Sequence, residues 1–132
     1  MTRGSVQIEE VVSALPNTSL WGDFRVSSVE GSRLDILGWA LGATTEVARV
    51  EVLAGSSVIA STAPSLARAD LAEKMPDRSS AATCGFQVMI EAEGKGRSTL
   101  ELRAVLDDET AVPMGEILVY APARRWDVFR RR

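Results

Sequence analysis

Arg68 and Asp70, followed by Asp77 and Arg78, are the closest set of opposite charges in a stretch without hydrophobic periodicity. A guanidinium and a carboxylate two residues apart can brace a short helical turn by pairing with each other. The same groups can also hydrogen-bond a sugar hydroxyl or a phosphate. Trp21, Trp39 and Trp126 are the three tryptophans. Each offers a flat apolar face against which the C–H groups of a sugar ring can stack. Trp39 lies in the most hydrophobic run and reads as core, whereas Trp21 flanks a strand start and is the more open candidate. Aromatic residues make up only 5% of the chain, too few for a dedicated carbohydrate-binding module. Asp107, Asp108 and Glu109 offer oxygen ligands for a hard cation, but their spacing is not that of a calcium loop. They read as a solvated hairpin tip, and no metal is expected. Arg124, Arg125, Arg130, Arg131 and Arg132 surround Trp126 and Phe129, which at i, i+3 share one face of a helix and would suit docking. Basic and aromatic groups together also suit anionic headgroups or nucleic acid. A tail after a last strand more often serves as a linker or docking helix, and membrane contact is not expected.

What the chain lacks narrows the chemistry further. It has no histidine, which removes imidazole acid–base catalysis and imidazole metal ligation. Its one cysteine, Cys84, excludes an internal disulfide and a cysteine-built zinc site, and its apolar setting reads as a buried thiol. Neither a glycine-rich phosphate cradle nor a Gly-x-Ser-x-Gly elbow occurs. No enzyme activity and no cofactor are expected. The formal charge of −3 argues against a nucleic-acid binder. No apolar run approaches the roughly 20 residues of a membrane span, and the N-terminus lacks the pattern of a secretory signal. A cytoplasmic location is expected.

The elements that must position these residues follow from periodicity. At 132 residues, 45% of them hydrophobic and 25% charged, the chain has the mix of one globular domain. Ile8, Val11, Val12 and Leu15 fall at i, i+3, i+4 and i+7 between Thr2 and Pro16. With Ser5 as N-cap and Glu9 and Glu10 near the start, this predicts a short N-terminal helix. From Leu20 the period becomes two. In Leu34–Leu41 the residues Leu34, Ile36, Gly38 and Ala40 point one way, and Asp35, Leu37, Trp39 and Leu41 the other. Both faces are largely apolar, so this strand is covered on both sides or runs through the middle of a sheet, and Gly38 marks a bulge or a close backbone approach. Val47–Leu53 and Val58–Ser61 form a hairpin about Gly55-Ser56. Ala63–Ser80 breaks the rhythm, with one or two helical turns within Ser65–Lys74, and is long enough to be a functional loop or a crossover. Further strands run through Cys84–Ile90, Leu100–Leu106 and Ala111–Tyr120, with turns at Glu93-Gly94-Lys95-Gly96 and Asp107–Thr110. Pro113 puts an edge or a bulge in the last of them. The expected fold is all-β, an antiparallel, immunoglobulin-like β-sandwich of about seven strands. It would carry the N-terminal helix or linker in residues 1–19, the sandwich in 20–121, and a helical or extended basic tail in 122–132.

One series of motifs is shared with a known family. Leu37-Gly38-Trp39-Ala40-Leu41 is followed by Val50-Glu51-Val52, Gly55 and Val58-Ile59-Ala60, then Arg68-Ala69-Asp70-Leu71-Ala72, then Cys84-Gly85-Phe86. In this order they resemble the small β-sandwich accessory domain that accompanies bacterial cell-surface glycosyltransferases and related polysaccharide proteins. The resemblance runs from about Phe24 to Leu118. Ala69 stands where the family tends to have proline, and no Asp-x-Asp nucleotide-sugar motif is present. The resemblance therefore implies an associated, non-catalytic module, part of a longer polypeptide or docked onto one. It would contact a glycosyltransferase domain or a glycan, with Arg68, Asp70 and Trp21 as the contact residues. The alternative is a structural module without ligand that forms homo-oligomers through edge strands near Pro113 and the segments Ile8–Leu15 and Trp126–Phe129.

Overall fold

A computed structural model describes residues 6–92 and 96–122. The fold is all-β, with eight strands among the described residues, one short α-helix and one 3-10 turn. The strands are β1 (Gln7–Ser13), β2 (Leu20–Glu30), β3 (Arg33–Gly42), β4 (Val47–Ala54), β5 (Ser57–Thr62), β6 (Gly85–Glu91), β7 (Gly96–Leu106) and β8 (Ala111–Ala121). They form a five-stranded sheet of order β1-β8-β7-β4-β5 and a three-stranded sheet of order β2-β3-β6, and all their pairings are antiparallel. Alternate side chains of both sheets enter one core. Leu34, Ile36, Phe86 and Val88 from the smaller sheet meet Val50, Val52, Leu102, Ile117 and Val119 from the larger. Apolar burial of this kind between two amphipathic sheets is the main force holding the layers together.

The N-terminal segment corrects the helix predicted there. Residues Gln7–Ser13 are strand, paired antiparallel with β8 from Gln7↔Tyr120 to Ser13↔Gly115. Ile8, Val11 and Val12 are β-branched and favour a pleated surface over a helix. The register shifts between Ile8 and Glu10, and this bulge breaks the strict alternation that would have betrayed a strand. Val6, just before β1, is buried and donates its N–H to the Gly31 carbonyl, closing this edge of the core. The expected N-cap Ser5, the turn residues 93–95 and the tail with Trp126 and Phe129 lie outside the described residues.

The central strand behaves as its two apolar faces imply. β3 is the middle strand of its sheet, between β2 and β6. Leu34, Ile36 and Ala40 face the main core, while Leu41 packs on the other side with Leu71, Ala81 and Cys84, joined by Trp39 and Met75. The irregular stretch after β5 is a crossover from the larger sheet to the smaller, and it supplies this cover. It holds α1 (Ala69–Lys74) and the 3-10 turn η1 (Ser79–Thr83). Pro113 stands at a bulge, since the β7–β8 register shifts between Leu102 and Arg103. Here Arg103 pairs with Pro113, beyond the last β1 partner.

Glu51 departs from simple alternation. It projects from β4 among charged neighbours, yet it is only 6% exposed. Arg49 Nε and Arg103 Nε each donate to its carboxylate at 2.8 Å, and Arg49 also reaches Glu109 at 3.3 Å. The two partly exposed guanidinium groups cover the carboxylate and leave it little contact with water. The hydrogen bond from Arg49 is the main cause that holds the Glu51 carboxyl below the usual glutamate range, and Arg103 adds to it. A depressed carboxyl stabilises the fold above its ordinary pKa and loses that contribution as pH falls through the folded-state value. Glu51→Gln is therefore expected to lower stability at pH 7 by about 1–2 kcal/mol, allowing for solvent screening of two partly exposed arginines. The gap to the parent should narrow steadily as pH falls from 5 to 3. Urea midpoints of both proteins across that range check it; a gap independent of pH would contradict the assignment.

Candidate functional site

On its outer face the smaller sheet brings two rows of side chains together. Antiparallel pairing sets Asp23 opposite Trp39 and Trp39 opposite Gly85, then Arg25 opposite Leu37 and Leu37 opposite Gln87. Trp39 and Leu37 share the phase of Asp35, opposite to that of Leu34 and Ile36, so they point away from the main core. The crossover then folds back over this surface. Leu66 and Gly85 exchange backbone hydrogen bonds, Leu66 N–H to Gly85 O at 2.9 Å and Gly85 N–H to Leu66 O at 3.1 Å. A Cβ on Gly85 would lie 3.0 Å from the Leu66 carbonyl oxygen and 3.1 Å from Arg68 Cγ. Glycine at this position lets the segment Leu66–Arg68 cross β6 closely enough to reach Trp39.

The result is a cleft of about 400 Å³. Leu37 and Trp39 form its floor, Asp23 and Arg25 one wall, and Leu66–Arg68 with Gly85 the other. The Arg68 guanidinium lies 6.0 Å from the Trp39 ring centroid, a cation–π distance. Its Nε and one terminal nitrogen donate to the two Asp70 carboxylate oxygens at 3.0 and 2.8 Å. This two-pronged bond fixes the plane of the guanidinium and is the largest cause that holds the Asp70 carboxyl down at about 2. Asp70 is thus ionised throughout the neutral range, and Arg68 is held charged by the same bond. Asp23 accepts the backbone N–H of Phe24 with one carboxylate oxygen, at 2.8 Å. None of the ion pairs or side-chain hydrogen bonds among the described residues uses Arg25.

Of the residues singled out in the sequence, Arg68 and Asp70 do come together, paired as their spacing implied. Trp21 does not line the cleft that holds Arg68. It is 44% exposed and lies under a second guanidinium, that of Arg78, 5.7 Å from the ring centroid. Arg78 also donates to the backbone carbonyls of Gly42 and Ala43 and approaches Glu46 at 3.9 Å, so it clamps the end of β3 beneath the crossover. The tryptophan of the cleft is Trp39, half-buried, with one side in the small apolar cluster and the other on the cleft. Arg25, Asp23 and Leu37 were not singled out in the sequence. Their signal there is the period-two phase they share with Trp39 across the β2–β3 hairpin.

Elsewhere the chemistry is structural. Cys84 is buried, and burial pushes its thiol above the usual range, the opposite of an activated nucleophile. Asp108 accepts the Thr110 N–H in the β7–β8 turn at 3.0 Å, and that bond lowers its carboxyl; Glu109, at φ 68°, completes the turn. No cluster of three or more metal-ligating side chains occurs among the described residues. No helix among them is long and apolar enough to cross a membrane. No family model, curated protein or solved structure matches this chain.

Proposed function

We propose that this chain is a non-catalytic accessory module of bacterial polysaccharide or glycoconjugate assembly that holds a glycan against the outer face of its three-stranded sheet, docked to or joined with a glycosyltransferase. The cleft over Trp39 is the observation that carries this reading. It combines an aromatic and an aliphatic floor with planar, pre-oriented hydrogen-bonding groups at the rim. A sugar ring requires both features, since it presents C–H faces and equatorial hydroxyls. Arg68 is held by Asp70 before any ligand arrives, which lowers the entropy lost on binding.

The strand order supports an immunoglobulin-like sandwich as the scaffold. Counted from β2, the sheets hold the first, second and fifth strands in one layer and the seventh, sixth, third and fourth in the other. An immunoglobulin constant-type domain differs only in placing the fourth strand beside the fifth. β1 is then an addition that covers the edge of the last strand.

Tryptophan fluorescence tests the binding reading. Bacterial oligosaccharides are titrated into the parent chain and into Trp39→Ala and Trp21→Ala. The parent and Trp21→Ala are expected to respond to at least one glycan. Trp39→Ala should lose at least tenfold in affinity, a change of about 1.4 kcal/mol. Silence of the parent across a broad panel, or equal affinity in Trp39→Ala, would overturn the reading.

The exposed outer edge of β1 favours a second reading, self-association. Val11 and Val12 are 40% and 37% exposed on a strand that, among the described residues, pairs on one side only. Glu9, Glu10 and the bulge between Ile8 and Glu10 oppose it, as charges and bulges commonly protect sheet edges. Light scattering on the same samples separates the two, since a glycan-silent dimer belongs to the second reading alone.

A further inference from the structure

We infer that the cleft over Trp39 selects an acidic sugar, a hexuronate or a similarly carboxylated residue, with Arg25 as the group that binds its carboxylate. This rests on the glycan reading of the same cleft and sharpens it. The charges in the cleft are not equivalent. The charge of Arg68 is already balanced by the two-pronged bond to Asp70, and its third nitrogen is left to donate to a hydroxyl. Asp23 spends one oxygen on the Phe24 N–H and keeps acceptor capacity on the other. Arg25, on the same wall, has no ion-pair partner among the described residues.

Arg25 is exposed, and its place beside the cleft sets what it can reach. Arg25 sits directly across from Leu37, one row along the sheet from Trp39. Rows on one face of a sheet are about 7 Å apart, so a ring seated in one row can bring a carboxylate within hydrogen-bond reach of the next. A ring seated in the cleft thus directs a substituent toward Arg25 while its hydroxyls meet Asp23 and Arg68. A planar guanidinium receives a planar carboxylate through two parallel N–H···O bonds, a geometry that a hydroxymethyl group cannot match. The acidic balance of the whole chain makes general attraction of polyanions a poor explanation for such binding. Selectivity would come from this one residue.

The test compares trigalacturonate and triglucuronate with their methyl esters, which keep the ring and its hydroxyls and remove the charge. Affinities are read by NMR shifts of the amides of residues 21–25, 37–41 and 66–70. The parent is expected to bind an acid at least tenfold more tightly than its ester. Arg25→Gln should bind acid and ester with equal affinity, and Arg25→Lys should restore part of the preference. Equal affinity for acid and ester in the parent would overturn this inference and leave the glycan reading standing. Absence of shifts with all four sugars would overturn it as well, and neutral oligosaccharides in the same assay then decide the broader reading. An oligouridylate that shifts the same amides, with no response to the uronides, would also overturn it.

Discussion

Phe86→Ala is expected to destabilise this fold by about 3–5 kcal/mol, the range for removing a fully buried phenyl ring. Phe86 is 1% exposed and occupies the inner face of β6, directly opposite Gly38 of β3. Its ring fills the space that a side chain at Gly38 would take. A Cβ there would stand 2.7 Å from Phe86 Cζ and 2.9 Å from Cε2. Truncation therefore opens a cavity at the centre of the smaller sheet, lined by residues that backbone hydrogen bonds hold in place. Against a typical domain stability of about 5–15 kcal/mol this is a large fraction, and the melting temperature should fall by roughly 10–20 °C. Denaturant melts followed by tryptophan fluorescence measure it. A loss below about 1 kcal/mol would show that the ring is not packed between the sheets as described.

Gly38→Ala carries the second large effect, by the opposite mechanism. The added methyl meets the Phe86 ring and also the Asp23 backbone carbonyl oxygen on the neighbouring strand. The ring can rotate away, but the backbone carbonyl is tied into the β2–β3 ladder. Overpacking of this kind costs about 1–3 kcal/mol, and the backbone contact places this substitution toward the upper end. The two substitutions are in contact, so their effects should not add. In the double variant Gly38→Ala/Phe86→Ala the methyl partly fills the cavity, and the summed loss should exceed the measured loss by at least about 0.5 kcal/mol. Strict additivity would mean that the ring and the glycine do not meet. Because Asp23 and Trp39 flank Gly38, the single variant should also weaken any ligand that uses the cleft.

The all-β fold was legible because period-two alternation is strong wherever one face is buried and the other solvated. Phe86, Val88 and Ile90, or Leu100, Leu102 and Ala104, announce their strands and the side they bury. β1 was not legible. Its bulge at Glu9 breaks the alternation, and its apolar residues happen to fall at helical spacing, so local pattern favoured the helix that pairing with β8 overrides. Glu51 illustrates a different limit. Alternation puts it in phase with Arg49, and nothing local shows that Arg49, two residues away, and Arg103, from β7, converge on it and exclude water.

The cleft was half legible. Arg68 and Asp70 announce their pairing by spacing alone, and the irregular crossover was the expected place to look. Trp39 was assigned to the core because it lies in the most apolar run. Its phase, shared with Asp35 rather than with Ile36, carried the opposite information. A tryptophan is large enough to serve both, one side in the Leu41–Leu71–Cys84 cluster and the other on the cleft. Arg25 was invisible for a simpler reason. Its significance depends on what Arg68 is already bound to, and that is a fact of tertiary structure.

The outer face of the three-stranded sheet, under the crossover, is the proposed meeting place of this chain with a glycan. Backbone amide shifts of the full chain, recorded while a panel of acidic and neutral bacterial oligosaccharides is added, test it most directly. The expected map is confined to Asp23–Arg25, Leu37–Trp39 and Leu66–Asp70, with β1, β8 and the β7–β8 turn unmoved. Shifts centred on β1 and β8, or none anywhere with every sugar in the panel, would contradict it.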